Sequence, residues 1–446
     1  MFLPVLLLAV ARTPIPDSNY DTLAYHLYAQ QFDFSDAGQS FVAAGKNTFL
    51  FPLADRMFLP FRAVLGYRAG TVLNVLVLGL IVLQVVQLLR DGLSREGVPP
   101  SRWLLAAGAV AAVGTEYALI NVGTYLVDLL PVPLMLEALR VALDDGDNPR
   151  DVPYLAAVAG FCLALKLTGA VFLAPLAAIF LLRRWRCLRV GNVAAGLVLF
   201  CLPAAMYAAF AWRETGNPVF WMFNEVFRSD FFLTINFRDT RWGPRGWLET
   251  LAWPVWVLFR PDRFSELVRC SGRLAMLAPL VLAWAASAWA LRKNSPPVPR
   301  RLGWLLAGTL LSALGWSATT GYCRYAIFPE MLTGVLTVWL AWRLLARRRL
   351  RAVAVGLVLI LAAQCAAAGY HVFVRNMDWA WREFYSLKHK QFHFARQWRL
   401  VGRDRDSGID AREVGAWINP CASSGYAVLL RPDVPMLGLE CANFSP

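Results

Sequence analysis

The sequence predicts an all-α fold, a polytopic bundle of about 11 transmembrane segments with long extracytoplasmic loops. Two observations lead to it. Of the 446 residues, 58% are hydrophobic and only 17% are charged, which is too apolar for a soluble globular protein. Nearly uncharged runs of about 18 or more residues also recur, and a helix of that length crosses the hydrocarbon layer while satisfying its own backbone.

The predicted segments are limited by charged or turn-forming stretches. Residues 1–11 are too short to span comfortably, and we expect them to be the end of a helix that starts upstream of Met1. The run 154–182 is predicted to be a hairpin of two short helices that turns at Lys166-Leu167-Thr168-Gly169. The alternative is one long tilted helix with Lys166 reaching to the interface. The remaining segments are 68–89, 103–119, 124–143, 191–212, 274–291, 302–319, 325–345 and 351–372.

Arginine clusters predict the orientation. They lie near residues 90–102, 183–190, 292–301 and 347–351, and the positive-inside rule places these loops in the cytoplasm. Loops 12–66 and 213–273 and the small tail 373–446 then lie outside, with residues 1–372 as the transmembrane domain of a multi-pass protein of the plasma (bacterial inner) membrane. The net charge of +14 is expected to meet anionic lipid headgroups rather than nucleic acid.

Acidic side chains at the predicted outer surface are the first candidates for chemistry. Asp21 follows the first helix and Asp128 opens a span, and an ionisable group in or beside a membrane segment is costly unless it has a function. Glu116 shares that argument, whereas Asp17 is expected to cap the helix that follows it. That helix, Asp21 to Phe32, is predicted to be short, amphipathic and interfacial.

Candidate substrate-binding residues accompany these acids. Tyr25 and His26 share the short helix with Asp21, and the histidine is a candidate proton shuttle. Arg324 and Lys166, at the outer ends of spans, are candidates for binding a lipid phosphate, with snorkelling as the structural alternative. The second outer loop adds Asn217 and Asn224 among many aromatic residues, an arrangement that suits a lid or a surface for stacking a sugar.

Four stretches resemble motifs of bacterial GT-C-type glycosyltransferases, the class that includes protein mannosyltransferases and lipid A aminoarabinose transferases. Asp21-Thr22-Leu23-Ala24-Tyr25-His26-Leu27 resembles their first-loop element, and Tyr125 to Leu129 resembles a Tyr-x-x-Asp-Leu element. Leu163 to Gly169 is similar to Leu-x-x-Lys-x-Thr-Gly, and Thr215 to Ser229 to a Gly-Asn-Pro loop. These matches follow the order of that class.

The resemblance implies an enzyme that transfers a sugar from a polyprenyl-phosphate carrier to an acceptor hydroxyl at the outer membrane face, with inversion. Asp21 would act as the base on the acceptor hydroxyl or would position it, and cationic groups would stabilise the leaving phosphate. Asp128 is the second candidate catalytic residue. The expected partners are the donor, membrane lipids and a glycolipid, polysaccharide or protein acceptor. No cofactor is implied, and although some members of the class use a divalent metal, no metal-ligand spacing occurs here.

Two other functions remain open. One is a transporter or flippase of lipid-linked sugars, with Asp128, Glu116 and Lys166 along its path, although no internal repeat is visible. The other is a degenerate, non-catalytic relative of the glycosyltransferases.

In the tail, Cys421 and Cys441 are a candidate disulfide pair if the tail lies outside the cytoplasm.

Overall fold

A computed structural model gives the architecture of this chain as an assembly of helices. It describes residues 3–12, 17, 19, 21–30, 50–97, 99–236, 239, 241–265, 270–290, 300–372, 417–419 and 436–438. Two three-residue strands, Trp417–Asn419 and Met436–Gly438, pair in parallel within the tail. Cys421 and Cys441, the candidate disulfide pair, lie outside the described residues.

The described part contains thirteen α-helices of ten or more residues. In chain order they are α1 (Leu3–Arg12), α2 (Leu59–Ala69), α3 (Val72–Arg95), α4 (Arg102–Val113), α5 (Val132–Leu143), α6 (Asp151–Leu165), α7 (Ala170–Arg184), α8 (Val190–Thr215), α9 (Trp247–Trp256), α10 (Leu277–Ala290), α11 (Arg300–Thr319), α12 (Ile327–Leu345) and α13 (Arg351–Tyr370). A short helix, π-helical over Thr22–His26 and α-helical over Leu27–Ala29, lies where an interfacial helix was predicted. Single helical turns are Leu53–Arg56, Glu116–Ile120, Leu167–Gly169, Trp185–Cys187, Asn224–Phe227, Pro261–Arg263, Arg273–Met276, Cys323–Ala326 and Arg348–Leu350.

Six helical segments of the described chain are long and apolar enough to cross a membrane. They are Val72–Arg95, Leu167–Cys187, Val190–Thr215, Arg300–Thr319, Cys323–Leu345 and Arg348–Tyr370. This confirms the prediction of an all-helical membrane protein, while the count of about 11 segments stays a prediction. Cys323–Leu345 is central, since 89% of its apolar window is buried, against 17% for Val190–Thr215 at the periphery. Gly334 allows this central helix its close approach to α4, because a Cβ there would lie 2.3 Å from the Ala111 carbonyl oxygen.

The predicted span 124–143 is shorter in the structure, where the helix begins only at Val132. Residues 121–131 form turns inside the bundle, and their carbonyl groups are paired by side chains. Asn74 Nδ2 donates to the Thr124 and Leu126 oxygens at 2.9 and 2.8 Å. Arg12 donates to the Ile120 oxygen at 2.8 Å and also to that of Val122. Non-helical backbone is therefore tolerated here because polar side chains replace the helical hydrogen bonds. The predicted span 103–119 is likewise interrupted, since α4 ends at Val113.

The predicted hairpin over 154–182 is present as α6 and α7. The chain breaks at Lys166, which is extended at φ −160° and ψ 115°. The far ends of the two helices meet, since the Arg184 guanidinium lies 2.6 Å from the Asp151 carboxylate. The chain therefore runs along α6 and returns along α7, and the single long helix is excluded.

One end of the bundle carries an ion-pair cluster of the predicted cytoplasmic loops. Asp145 accepts from Arg95 at 2.9 Å and from Arg301 at 3.1 Å, and it also pairs with Arg183. Asp144 pairs with Arg95 and Arg301 as well. These contacts bring the ends of α3, α5 and α7 and the start of α11 to one face, so these loops lie on the same side, as predicted.

We expect this arginine-rich face to be cytoplasmic. In intact cells, a cysteine placed at Asp262 in the opposite-face loop should react with a membrane-impermeant maleimide. A cysteine at Arg150, which is exposed near the arginine-rich face, should react only after permeabilisation. Both signals are measured against the wild-type chain with its eight native cysteines. The reverse pattern of labelling would show that Asp21 faces the cytosol.

Candidate active site

Arg324 is the centre of a buried charged cluster at the other end of the bundle. It lies in the turn Cys323–Ala326, directly before α12. Its Nε donates to Asp128 Oδ2 at 2.8 Å, and its Nη1 donates to Asp21 Oδ2. One guanidinium therefore joins the first outer loop to the turn before α5, two stretches that are distant in the sequence.

Lys166 completes this cluster from the α6–α7 break. Its amine donates to Asp128 Oδ1 and lies 4.7 Å from the centroid of the Tyr325 ring. Asp128 thus accepts from a different cation on each oxygen. The cluster contains two acids and two bases, so its net charge is zero. This pairing lowers the free-energy cost of burying the four charged groups in an apolar bundle.

The two acids of the cluster differ in exposure. The Asp128 side chain is 2% exposed and that of Asp21 is 19% exposed, while the shared Arg324 is 6% exposed. Asp128 has both oxygens engaged by cations, whereas only one oxygen of Asp21 is paired with Arg324. Asp21 is accordingly the acid of this cluster that an incoming molecule can reach.

The turn that carries Arg324 is fixed by the second outer loop. The Cys323 amide donates to the Phe264 carbonyl oxygen at 2.8 Å, and Trp253 Nε1 donates to that of Gly321 at 2.9 Å. Gly321 has φ +58°, and a Cβ there would lie 2.6 Å from Gly243. Only glycine fits this position, so the local sequence determines how Arg324 is presented.

Asp17 lies beside the cluster and connects the first loop to the same turn region. Its carboxylate accepts from the Tyr125 amide at 2.8 Å, the Thr22 hydroxyl at 2.8 Å and the Asn19 amide at 3.0 Å. The prediction that Asp17 caps the helix is wrong, because the cap position is Asp21 and no side chain of the described residues caps the helix. The bonds from Asn19 and Thr22 instead fix the loop directly before the helix. The contact with Tyr125 adds a long-range connection that the sequence did not predict.

Replacing Asp17 by asparagine is expected to lower stability, because its amide nitrogen would face groups that donate. We expect a loss of about 1–3 kcal/mol. Burial, which outweighs the hydrogen bonds from Tyr125, Asn19 and Thr22 and the charge of Arg12, raises the pKa of Asp17 above 3.8. A raised folded-state pKa means that the contribution of this group is fully present below its unfolded pKa and is lost as the pH rises through the folded one.

The measurement for Asp17 is thermal unfolding of the purified protein at a series of pH values. The advantage of the wild type over Asp17→Asn should be largest at acidic pH and should shrink as the pH rises. A difference that does not vary with pH would contradict the burial argument.

His26 is paired with an acid that the sequence did not single out. Its Nδ1 lies 2.6 Å from Asp55 Oδ1, and both side chains are buried. The Tyr25 ring lies 4.3 Å from the His26 ring, and its phenol interacts electrostatically with Asp21, Arg324 and Asp55. Tyr25 therefore adjoins both the charged cluster and the His26–Asp55 pair. Asp55 lies in a predicted outer loop, where an acid is ordinary, so no signal in the sequence set it apart.

Asn217 and Asn224 organise the second outer loop. Asn217 donates to the Met222 carbonyl oxygen at 2.9 Å and accepts from the Val219 amide at 3.0 Å. Asn224 donates to the oxygens of Ser229 and Phe232, both at 2.9 Å, and accepts from the Ser229 amide at 2.8 Å. These bonds account for both residues within the loop itself, and their contact with a substrate stays a prediction.

No known protein family, curated protein or solved structure matches the chain. Within the described ranges, no group of three or more histidine, cysteine, aspartate or glutamate side chains is arranged to hold a metal ion. Arg324 and Lys166 can bind a phosphate, and Asp21 can accept a proton.

Proposed function

We propose that this chain is a membrane glycosyltransferase. It transfers a sugar from a polyprenyl-phosphate carrier to an acceptor hydroxyl at the outer face of the membrane, with inversion at the anomeric carbon. The observation that supports this most is the meeting of Asp21, Asp128, Lys166 and Arg324 at one end of an apolar bundle. The four side chains come from four separate stretches, each within one of the resembling motifs or at the outer end of a span.

The cations of the cluster suit the donor phosphate. Arg324 offers a planar fork that matches phosphate oxygens, and Lys166 adds a point charge from the opposite side of Asp128. When the bond to the sugar breaks, negative charge develops on this phosphate, and fixed cations in a place with little water stabilise it strongly. Asp128 holds the two cations in position before the donor arrives.

Donor binding would also prepare the base. Asp21 is paired with Arg324, the group to which we assign the phosphate. A phosphate that takes over this guanidinium releases Asp21 to hydrogen-bond the acceptor hydroxyl. The base is thereby freed only when a donor is present, which limits wasteful loss of sugar to water.

The reaction is a single displacement. The acceptor oxygen attacks the anomeric carbon and forms the new glycosidic bond, while the bond from that carbon to the phosphate oxygen breaks and its electron pair stays on the polyprenyl phosphate. The hydroxyl proton passes to the Asp21 carboxylate. Attack from the side opposite the leaving group inverts the anomeric carbon.

The second outer loop would cover the reacting groups. Phe220 and Trp221 are buried against Tyr207 and Phe210, near the end of α8, and Phe232 packs on them. This aromatic cluster fixes the loop to the bundle near the point where α8 ends at Thr215. A loop held in this way suits a lid that excludes water from the transfer.

The proposal is tested in proteoliposomes that contain the purified chain and a radiolabelled polyprenyl-phosphate sugar. Transfer of label to an added glycolipid, polysaccharide or protein acceptor supports it. Movement of intact labelled lipid between leaflets without transfer would instead identify a flippase. Neither activity, across a panel of sugars and acceptors, would contradict the transferase and leave a non-catalytic relative.

A further inference from the structure

Three polar atoms on one turn of the short helix that begins at Thr22 are buried and have no hydrogen-bond partner among the residues that the structure describes. They are Nε2 of His26 and both side-chain amide atoms of Gln30. His26 is 2% exposed and Gln30 is 0% exposed. The backbone N–H of Gln30 donates to the His26 carbonyl oxygen at 3.2 Å, so the two side chains are one helical turn apart and share a face.

The contact with Asp55 determines which ring nitrogen of His26 donates a hydrogen bond and which accepts one. A carboxylate oxygen accepts, so the 2.6 Å contact with Asp55 makes Nδ1 of His26 the donor. In the neutral ring Nε2 is then an acceptor. Gln30 supplies an amide donor and a carbonyl acceptor next to it. Buried polar atoms are nearly always paired, so three of them on one turn point to a ligand that brings its own hydrogen-bonding groups.

The chemistry of these atoms selects hydroxyl groups over phosphate. Each hydroxyl both donates and accepts, which matches one acceptor and one amide placed side by side. Tyr25 adjoins both groups, since its ring is 4.3 Å from that of His26 and its phenol interacts with Asp21 and Arg324. The unpaired polar atoms of His26 and Gln30 are therefore neighbours of the charged cluster.

We propose that His26, held by Asp55, and Gln30 form a subsite for the hydroxyl groups of the sugar on the carrier. This inference rests on the proposed glycosyl transfer and assigns the sugar its place beside the phosphate. Asp55 acts through His26 as a positioning residue. Gln30 and Asp55 are additions to the candidate residues that the sequence provided.

The test compares two ligands on the same variants. Bare undecaprenyl phosphate carries only the charge, whereas undecaprenyl-phosphate glucose, mannose and 4-amino-4-deoxyarabinose add hydroxyl groups. We expect the wild type to bind at least one sugar-bearing carrier about tenfold more tightly than the bare one. Gln30→Met, which keeps the size of the side chain, should reduce that preference about tenfold and leave binding of bare undecaprenyl phosphate unchanged.

Gln84→Met is the matched control. Gln84 donates to the Pro133 carbonyl oxygen at 3.0 Å within the bundle, so its loss removes a structural hydrogen bond away from the subsite. It should leave the preference for the sugar intact. His26→Phe gives a second test of the subsite, while Gln30→Met remains informative if removal of the partner of Asp55 impairs folding.

Two results would overturn the subsite. One is a preference for the sugar that Gln30→Met leaves unchanged, and the other is an equal loss of affinity for both ligands. Failure of the wild type to bind bare undecaprenyl phosphate would instead count against the transferase proposal itself. The two proposals can therefore fail separately.

Discussion

Replacing Asp21 by asparagine is expected to abolish sugar transfer while the protein stays folded. The carboxylate is the proposed proton acceptor, and general-base catalysis contributes about 10²–10⁴-fold to a rate. The asparagine oxygen can still accept the hydrogen bond from Arg324, so the cluster keeps its connection to the first loop. The measurement is the initial rate of label transfer in proteoliposomes, with donor binding measured in parallel.

The control for Asp21 is the same change at Asp262. That carboxylate lies in the second outer loop, is 62% exposed and pairs with the partly exposed Arg260. Asp262→Asn should therefore transfer at the wild-type rate. Full transfer by Asp21→Asn would disprove the assignment of the base. A loss of donor binding that equals the loss of rate would assign Asp21 to binding instead.

The charged members of the candidate site could be predicted from the sequence because of their surroundings. Asp128, Lys166 and Arg324 each interrupt an apolar run, where an unpaired charge costs several kcal/mol. Because of this free-energy cost, each of the three residues can be recognised in the sequence as a candidate functional residue. Which acid pairs with which base is a matter of three-dimensional packing, and no spacing in the chain encodes it.

Other features had no comparable signal. Asp55 pairs with His26, but it lies in an outer loop, where an acid is ordinary. Gln30 is uncharged, so its burial could not be seen in the composition. The breaks that end α4 at Val113 and delay α5 to Val132 were missed for a related reason. A hydropathy pattern measures how apolar a stretch is. It does not distinguish a helix from turns whose carbonyl groups are paired inside the bundle.

The hairpin over α6 and α7 shows what charge distribution can add to hydropathy. Apolar character alone allowed one long helix over 154–182. The requirement that the arginine-rich loops share a face demanded a return at Lys166, and the Arg184–Asp151 contact meets that requirement. The same return brings Lys166 to the opposite end of the bundle, where it meets Asp128. The charge distribution that predicts the orientation of the helices therefore also predicts that Lys166 lies at the end of the bundle that carries the candidate site.

Arg324→Gln is expected to have the second large effect, on both stability and transfer. The change leaves Asp21 without a cation and Asp128 with Lys166 alone, in a place where the Asp128 side chain is 2% exposed. Removing one partner of a buried ion pair typically costs about 3–5 kcal/mol. The proposed phosphate site also loses the guanidinium group of Arg324, so donor affinity and the rate of transfer should both fall. Arg260→Gln, on an exposed pair with Asp262, is the matched control and should change neither stability nor transfer.

The double variant Arg324→Gln with Asp128→Asn separates the two roles of Arg324. Removing the acid together with its cation leaves one acid, Asp21, and one base, Lys166, so the cluster is again neutral, and thermal unfolding of the detergent-solubilised protein should recover part of the way towards the wild type. Transfer should not recover, because the phosphate still lacks its guanidinium. Recovery of both stability and transfer would mean that Arg324 only holds the bundle together, and the donor phosphate would then have to bind elsewhere. Recovery of neither would show that the cluster is stabilised by its separate contacts, Arg324 with Asp21 and Lys166 with Asp128, rather than by its overall neutrality.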